Sequence, residues 1–575
     1  MSQSISRAVL RRGLALLGIS GIIAASVGVL PAKAAVDFAQ AAFSGSAVGS
    51  AIHVDALTAD PETRVANADV AYATAAVNSK GLATQALNEN SRVISPARPS
   101  KNAYGEGLAL EVGLVGPSSA PGQLQLAGVA ENDAPPTTPD VVQDLGPITE
   151  LAPLAYASAV HAASHAKWNT DTCVLGSDIS SGLAYAADAQ LVDAGAGEDD
   201  GSLESPIVAT DATPPARNVV QTFSQETLVP NSAGAFGLRS RVSQTLAPVT
   251  LADSVTIEVL GEWVLTATAT GIAGQSKVEY APGGNPTPTT PILRIIQDAV
   301  PTNVLTFQDI FGAAGLDQIV IPGVAEIAIG EDPRAIGGDA TTAPTVSADG
   351  TTVSAAVDVV RVKLLEGQGG DVRIGHMETK ATVPSGGITC PIPVTKSADP
   401  STVTSSTPGG NFVVTITIKN SFDCDLTGVT AEDVISRKSG NATFSIVTND
   451  ARNDPKAGAG ATFTNTSPTS AKAVYAGLGT IPPGGTKVLK VVIHVIGGSG
   501  EIQDIATAKG TLSCPGGNAI GQAVALTGSF TLVTKVAGAA VLARTGGSDI
   551  GLLAAVPVLA LLAGRRLRRS KRSTS

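Results

Sequence analysis

Asn411-Phe412-Val413-Val414-Thr415-Ile416-Thr417-Ile418-Lys419-Asn420 sets apolar Phe412, Val414, Ile416 and Ile418 on one parity and Thr415, Thr417 and Lys419 on the other. That period of two, in β-branched residues, predicts a half-buried strand. The flanks repeat the theme. Val394-Thr395-Lys396-Ser397-Ala398-Asp399-Pro400 precedes it, and Leu426-Thr427-Gly428-Val429-Thr430-Ala431-Glu432-Asp433 follows. Leu478-Gly479-Thr480-Ile481-Pro482-Pro483-Gly484-Gly485-Thr486 then leads into a strand over 487–495. Strands at this spacing, punctuated by Gly and Pro, predict a β-sandwich over 390–534, with a short linker over 535–541.

Further toward the N-terminus, residues 35–389 read as one large β-rich region. Residues 42–54 alternate small and apolar side chains. Residues 256–270 place Ile257, Val259, Trp263 and Leu265 against Glu258 and Glu262. Residues 352–365 and 371–383 read as a hairpin around Glu366-Gly367-Gln368-Gly369-Gly370. Ala134-Pro135-Pro136-Thr137-Thr138-Pro139 and Pro282-Gly283-Gly284-Asn285-Pro286 read as loops. One helical insertion is expected at 151–167, Ala-rich, with Leu154, Ala157, His161 and His165 at helical spacing and Pro153 in the first turn. A second Ala-rich piece spans 183–190. The fold class is therefore mainly β with a short Ala-rich helical insertion. Only 3% of residues are aromatic, so the cores must be built from Ala, Val, Thr and other small side chains, and aromatic carbohydrate platforms are disfavoured.

The two ends carry addressing signals. At the front, Arg7, Arg11 and Arg12 precede an apolar stretch over 13–30 and then Ala32-Lys33-Ala34. This is a signal-peptide pattern, with cleavage by signal peptidase expected between Ala34 and Ala35. At the back, Leu542-Ala543-Arg544-Thr545-Gly546 precedes the uncharged run 550–564 and then Arg565, Arg566, Arg568, Arg569, Lys571 and Arg572. The run has fifteen residues. As a helix it would span about 22 Å, against a bilayer core of about 30 Å. Pro557 weakens it further, while the six cations obey the positive-inside rule. A weak span with a strong basic stop suits transient membrane retention.

Processing at both ends changes the charge. Four cations leave with the signal, and six cations with one acid lie beyond Thr545. The 38 cationic and 49 acidic residues thus fall to 28 and 48, a net charge of -20. Such a surface disfavours nucleic acid and anionic lipid. Four cysteines, Cys173, Cys390, Cys424 and Cys514, in an exported chain favour disulfides. Three connectivities exist. Cys424 and Cys514 share the predicted sandwich and are paired on that ground, leaving Cys173 for Cys390.

Three resemblances follow from these residues. The tail resembles the cell-wall sorting signal of Gram-positive surface proteins, in the LAxTG form associated with actinobacterial class E sortases. This implies a sortase partner that attacks the Thr545 carbonyl, breaks the Thr545–Gly546 bond and forms an acyl-enzyme with this chain as substrate. It also implies peptidoglycan or its precursor as the amine acceptor. Phe43-Ser44-Gly45 with His53 and Val54, Cys173-Val174-Leu175-Gly176, and Gly375-His376-Met377-Glu378 running on to Cys390-Pro391 resemble the choice-of-anchor G family of actinobacterial surface proteins. The Lys396 to Pro400, Val414 to Asn420 and Leu478 to Gly484 segments resemble the Ig-like "DUF-eleven" repeat, a module of stalks and spacers.

Chemistry is sparse. His161 and His165 have the i,i+4 spacing of a metal pair but lack the glutamate and third ligand of H-E-x-x-H. His53, His376 and His494 lie on predicted strands. Glu198-Asp199-Asp200 sits in a Gly-rich loop. Ser164-His165-Ala166-Lys167 fits S-x-x-K without its companion motifs. An intramolecular isopeptide bond at Lys396, as some surface sandwiches have, would lose one ammonia from an Asn partner, but no partner is identifiable from sequence. No catalytic, cofactor or metal residue is assigned. The expected function is a secreted, sortase-anchored adhesive or structural display protein, not an enzyme; the alternative is a wall-tethered hydrolase.

Overall fold

The computed structural model describes residues 36–537 except 58–63, 82, 84–100, 115–123, 150–154, 194–205, 211–218, 252–254, 285, 298–299, 312–317, 322–324, 330–343, 365–369, 405–409 and 515–523. The strand Asn411–Lys419 buries Phe412, Val414, Ile416 and Ile418 and leaves the residues between them half-exposed. It is second in a four-stranded sheet ordered Val394–Asp399, Asn411–Lys419, Thr486–Gly497, Thr443–Ile446. A six-stranded sheet faces it, ordered Thr402–Thr404, Val524–Ala537, Gly500–Ser513, Asp425–Gly440, Ser470–Tyr475, Ala461–Ser467. The inner faces share one apolar core that includes Ile416, Val491, Ile493, Ile435, Tyr475, Ile502 and Ala508. This is the sandwich the alternation predicted. Its last strand runs to Ala537, paired with Thr402–Thr404 and Gly500–Ser513, and so takes in the first three residues of the expected linker.

The N-terminal region is a second, larger two-layer β body. One layer is a nine-stranded sheet that runs, to its edge, Thr352–Leu364, Gly370–Thr382, Ser44–Leu57, Arg64–Asn78, Ala103–Leu114, Leu124–Ala134. The expected hairpin is its Thr352–Leu364 and Gly370–Thr382 pair. The other layer consists of two sheets. Five chain passes each give one strand to each of them: Ala159–Ala166 with Ala155–Tyr156, Ser180–Ala187 with Gln190–Asp193, Val219–Pro230 with Pro206–Thr210, Phe236–Thr245 with Val249–Leu251, and Glu262–Ala269 with Val255–Val259. The strand signal at 256–270 is thus two strands, divided at Gly261.

The continuous layer bends too. Val359, Gly375, Ala51, Ala71, Ala109 and Gly128 are skipped in the ladder at one level, and Gly375, Ala71 and Gly128 have positive φ. The register is the same on both sides of this level, one residue being skipped on each strand, yet the parity that faces inward reverses across it. Before it, Gly49 lies against Thr222 and Val242 of the other layer. After it, Ile52 and Val54 join the apolar core with Val249, Ile257 and Ile295. His53 and Asp55 are thereby sent to the opposite face.

The helical insertion expected at 151–167 is replaced by strands in the described part of that stretch. Residues 151–154 lie outside the described residues, and Ala155–Tyr156 and Ala159–Ala166 are strands. The second Ala-rich piece belongs to the strand Ser180–Ala187. Among the described residues the α-helix is Phe307–Phe311. Alanine's helix propensity, worth under about 1 kcal/mol per residue against most alternatives, is overridden by tertiary packing. Val160, Ala162, Ser164 and Ala166 are buried on alternate positions. The facing strand comes so close that a Cβ on Gly107 would lie 2.0 Å from the Leu183 carbonyl oxygen and 2.8 Å from that of Ala163. At Ala162 and Ser164 a gap this narrow leaves room only for small side chains, and it widens toward Val160, which packs against Gly128 of the facing sheet. The alanines are small because two sheets nearly touch there.

Candidate functional site

The residues that resembled a family motif, Cys173-Val174-Leu175-Gly176, form the joint between the body and the sandwich. The chain leaves Ala159–Ala166 through Lys167 and loops back by Ile179. Lys167 pairs with Asp423 of the sandwich, and the Ser177 hydroxyl donates to the same carboxylate. The Asp423 amide donates to the Leu175 carbonyl at 3.1 Å. Asn169 Nδ2 donates to the Ser421 carbonyl at 3.1 Å, and Thr172 Oγ1 to the Pro391 carbonyl at 2.6 Å. Cys173 bonds Cys390, where the chain crosses between the two parts, and Cys424 bonds Cys514 inside the sandwich. These are the pairings expected from the domain reading.

Gly176 explains its own identity. Its φ is +92, and a Cβ there would lie 2.2 Å from Cys424 Sγ and 3.3 Å from Cys514 Sγ. The loop therefore lays its backbone directly on the second disulfide. Val174 and Leu175 are buried in the core that continues from Phe38 and Phe43 of the body to Phe422 and Leu426 of the sandwich. Phe38, Phe43 and Trp168 cluster at centroid distances of 5.4 to 6.0 Å. The strand Val36–Asp37 pairs in parallel with Ile388–Thr389. The start of the body thus lies beside its exit into the sandwich, and the far end of the body is remote from the joint.

The body holds a second concentration of chemistry. On the face opposite its apolar core, Arg361, Arg373, His53, Asp69 and Glu111 stand directly across from one another on five neighbouring strands. The next such level holds Lys363, Asp371, Asp55 and Asn67. His53 Nδ1 lies 3.0 Å from Asp69 Oδ1, and the Ser50 hydroxyl donates to that same oxygen at 2.7 Å. Asn67 Nδ2 donates to Asp55 at 2.7 Å, and Arg361 holds Asp371 with two nitrogens. His376 Nδ1 lies 2.9 Å from Asp358. All of these groups except Lys363 are buried. Burial pulls the His53 imidazole down, but the charges of Asp69 and Asp55 outweigh it and raise its pKa to about 10. Asp358 and Glu378 likewise raise His376 to about 9 against burial. Ser50, Asp69 and His53 do not form a nucleophile relay: the carboxylate, not the imidazole, sits between the other two. The arrangement is a neutralised charge network that ties five strands together.

The other sequence candidates fall apart from these. His161 and His165 do share a face, because a strand as well as a helix places i and i+4 together. Each has its own aspartate 2.6 Å away, Asp144 and Asp140, and His161 stacks on Tyr185. Lys167 of the S-x-x-K match serves the joint. His494 lies 2.7 Å from Asn411 Oδ1. Glu198-Asp199-Asp200, the Ala34–Ala35 cleavage site, Leu542-Ala543-Arg544-Thr545-Gly546 and the run 550–564 lie outside the described residues. Among the described residues no helix is long and apolar enough to cross a membrane, and no group of three His, Cys, Asp or Glu residues could hold a metal ion.

No family model matches this chain, and no curated protein matches it. Solved structures align only weakly. A protein that catalyses macrocyclisation in alchivemycin A biosynthesis aligns at 12% identity over 28% of this chain and 92% of its own, with a TM-score of 0.17. Escherichia coli alpha-2-macroglobulin activated by porcine elastase aligns at 10% over 87% and 41%, with a TM-score of 0.14. A putative membrane anchored protein from Corynebacterium diphtheriae aligns at 10% over 69% and 95%, also at 0.14. Scores this low carry no functional argument.

Proposed function

We propose that this chain is an exported surface protein of the choice-of-anchor G type. In this reading a sortase joins it to peptidoglycan through Thr545, and it acts there as an adhesive or structural display protein. The observation that carries the reading is the order of parts at the C-terminus: Leu542 to Gly546, an uncharged run over 550–564, and six cations after it. The signal-peptide pattern supports it, as do two disulfides, which belong to oxidising compartments. The last strand of the sandwich ends at Ala537, five residues before Leu542. In the mature protein the sandwich is then the stem next to the wall and the body is the displayed head. The joint at Cys173 to Gly176 transmits any pull on the head into two disulfides and a shared core.

Deleting residues 542–575 and fractionating the cells tests this reading. The protein is expected in the medium instead of the wall fraction. Undiminished wall retention of the truncated protein would contradict it.

A further inference from the structure

Lys396 lies in the strand Val394–Asp399 of the four-stranded sheet and points through the sandwich core to the six-stranded sheet. There its ammonium meets two carboxylates, Asp433 at 2.5 Å and Asp504. The three side chains are 0%, 0% and 2% exposed. Asp433 and Asp504 stand on the adjacent strands Asp425–Gly440 and Gly500–Ser513. Asp433 is opposite Ala506 and Ile435 opposite Asp504, so the two acids are diagonal neighbours on one face. Asp433 Oδ2 and Asp504 Oδ2 have no hydrogen-bond donor while both acids are ionised. Nearby, the Tyr475 hydroxyl is also buried without a partner.

An ion triad of net charge -1 in a dry core is an uncomfortable state. A proton on Asp504 relieves it, because the protonated carboxyl can donate to Asp433. Burial, together with the neighbouring charge of Asp433, raises the Asp504 pKa well above the usual carboxylate range. The site then holds an amine, a neutral carboxylic acid and a carboxylate base in contact, with water excluded. Groups fixed in this way react at effective concentrations of about 10⁵ to 10⁸ M.

We propose that Lys396 and Asp504 condense to an intramolecular isopeptide bond, with Asp433 carrying the protons. Asp433 takes one proton from the Lys396 ammonium. The freed amine attacks Asp504 Cγ, the new C–N bond forms, and the C–O bond to the hydroxyl breaks. The nitrogen gives up a second proton as the hydroxyl leaves, and one water departs. Lys-NH₃⁺, Asp504 COOH and Asp433 COO⁻ become a neutral amide, water and a protonated Asp433. No oxidant is needed, and no charge stays buried. The bond would link the two sheets of the sandwich across 108 residues of chain in a form that no reductant opens. Both partners are aspartates, so the lost molecule is water, not the ammonia expected of an Asn partner.

Intact mass of the exported protein after full reduction tests this. The expected value lies about 18 Da, one water, below the mass calculated for the reduced mature sequence. Proteolysis should give a branched peptide joining Lys396 to Asp504. The Lys396→Arg and Asp433→Asn variants are expected at their full calculated masses. Wild-type protein at its full calculated mass overturns the proposal without reference to any variant's folding. A branch at Asp433, or an Asp433→Asn protein that still loses the water, overturns the assigned roles.

Discussion

Gly176 is the residue at which the joint is most sensitive. Its φ of +92 and the 2.2 Å approach of a Cβ to Cys424 Sγ both oppose a side chain. Gly176→Ala is expected to destabilise the protein by about 2–4 kcal/mol, combining the left-handed backbone penalty with overpacking against a covalently fixed sulfur. Denaturant unfolding of the wild-type and variant proteins measures it; a change within about 0.5 kcal/mol, as at an ordinary surface site, would remove the close contact from the account. At this scale some of the protein was legible and some was not. The four cysteines could be paired because domain placement alone separated them. Lys396 could be noticed, but Asp433 and Asp504 could not be named as its partners. They become neighbours only through the pairing register of two strands far apart in the sequence.

Among the elements, legibility followed the width of the space between sheets. Asn411–Lys419 was readable because its inner face is filled by large β-branched and aromatic side chains. Ala159–Ala166 was not, because much of its inner face meets another sheet closely enough to need small side chains, and the alanines that supply them also suit a helix. The charge network on the five central strands is similar: its members are scattered from His53 to His376 and converge only when the strands register. It has a consequence for pH. His53 and His376 are held at pKa values of about 10 and about 9, above the ordinary value of 6.5. Folding therefore favours their protonated forms. The stabilisation is fully present below pH 6.5 and is lost as pH rises through 9 to 10. Unfolding free energy is expected to fall by on the order of a few kcal/mol between pH 7 and pH 10. Replacing both histidines with glutamine should flatten that fall. A wild-type stability that holds level or rises over this range would contradict the network's charge state.

At the scale of the whole molecule, the covalent links run in one direction. Cys173–Cys390 fastens the body to the crossing segment, and Cys424–Cys514 lies beneath the same loop inside the sandwich. The final strand, Val524–Ala537, then delivers the chain toward Leu542. Alternation and turns predict a sandwich after about residue 390, and paired strands form one there. The kinked double layer of the body was not legible in the sequence, since no sequence period marks the row of skipped residues from Val359 to Gly128. The proposed role rests on the tail, and the most direct measurement is the mass of the C-terminal peptide of protein released from purified cell wall. The expected peptide ends at Thr545, joined through its carbonyl to a wall-derived amine. A mature wall protein whose C-terminal peptide still ends at Ser575 would contradict it.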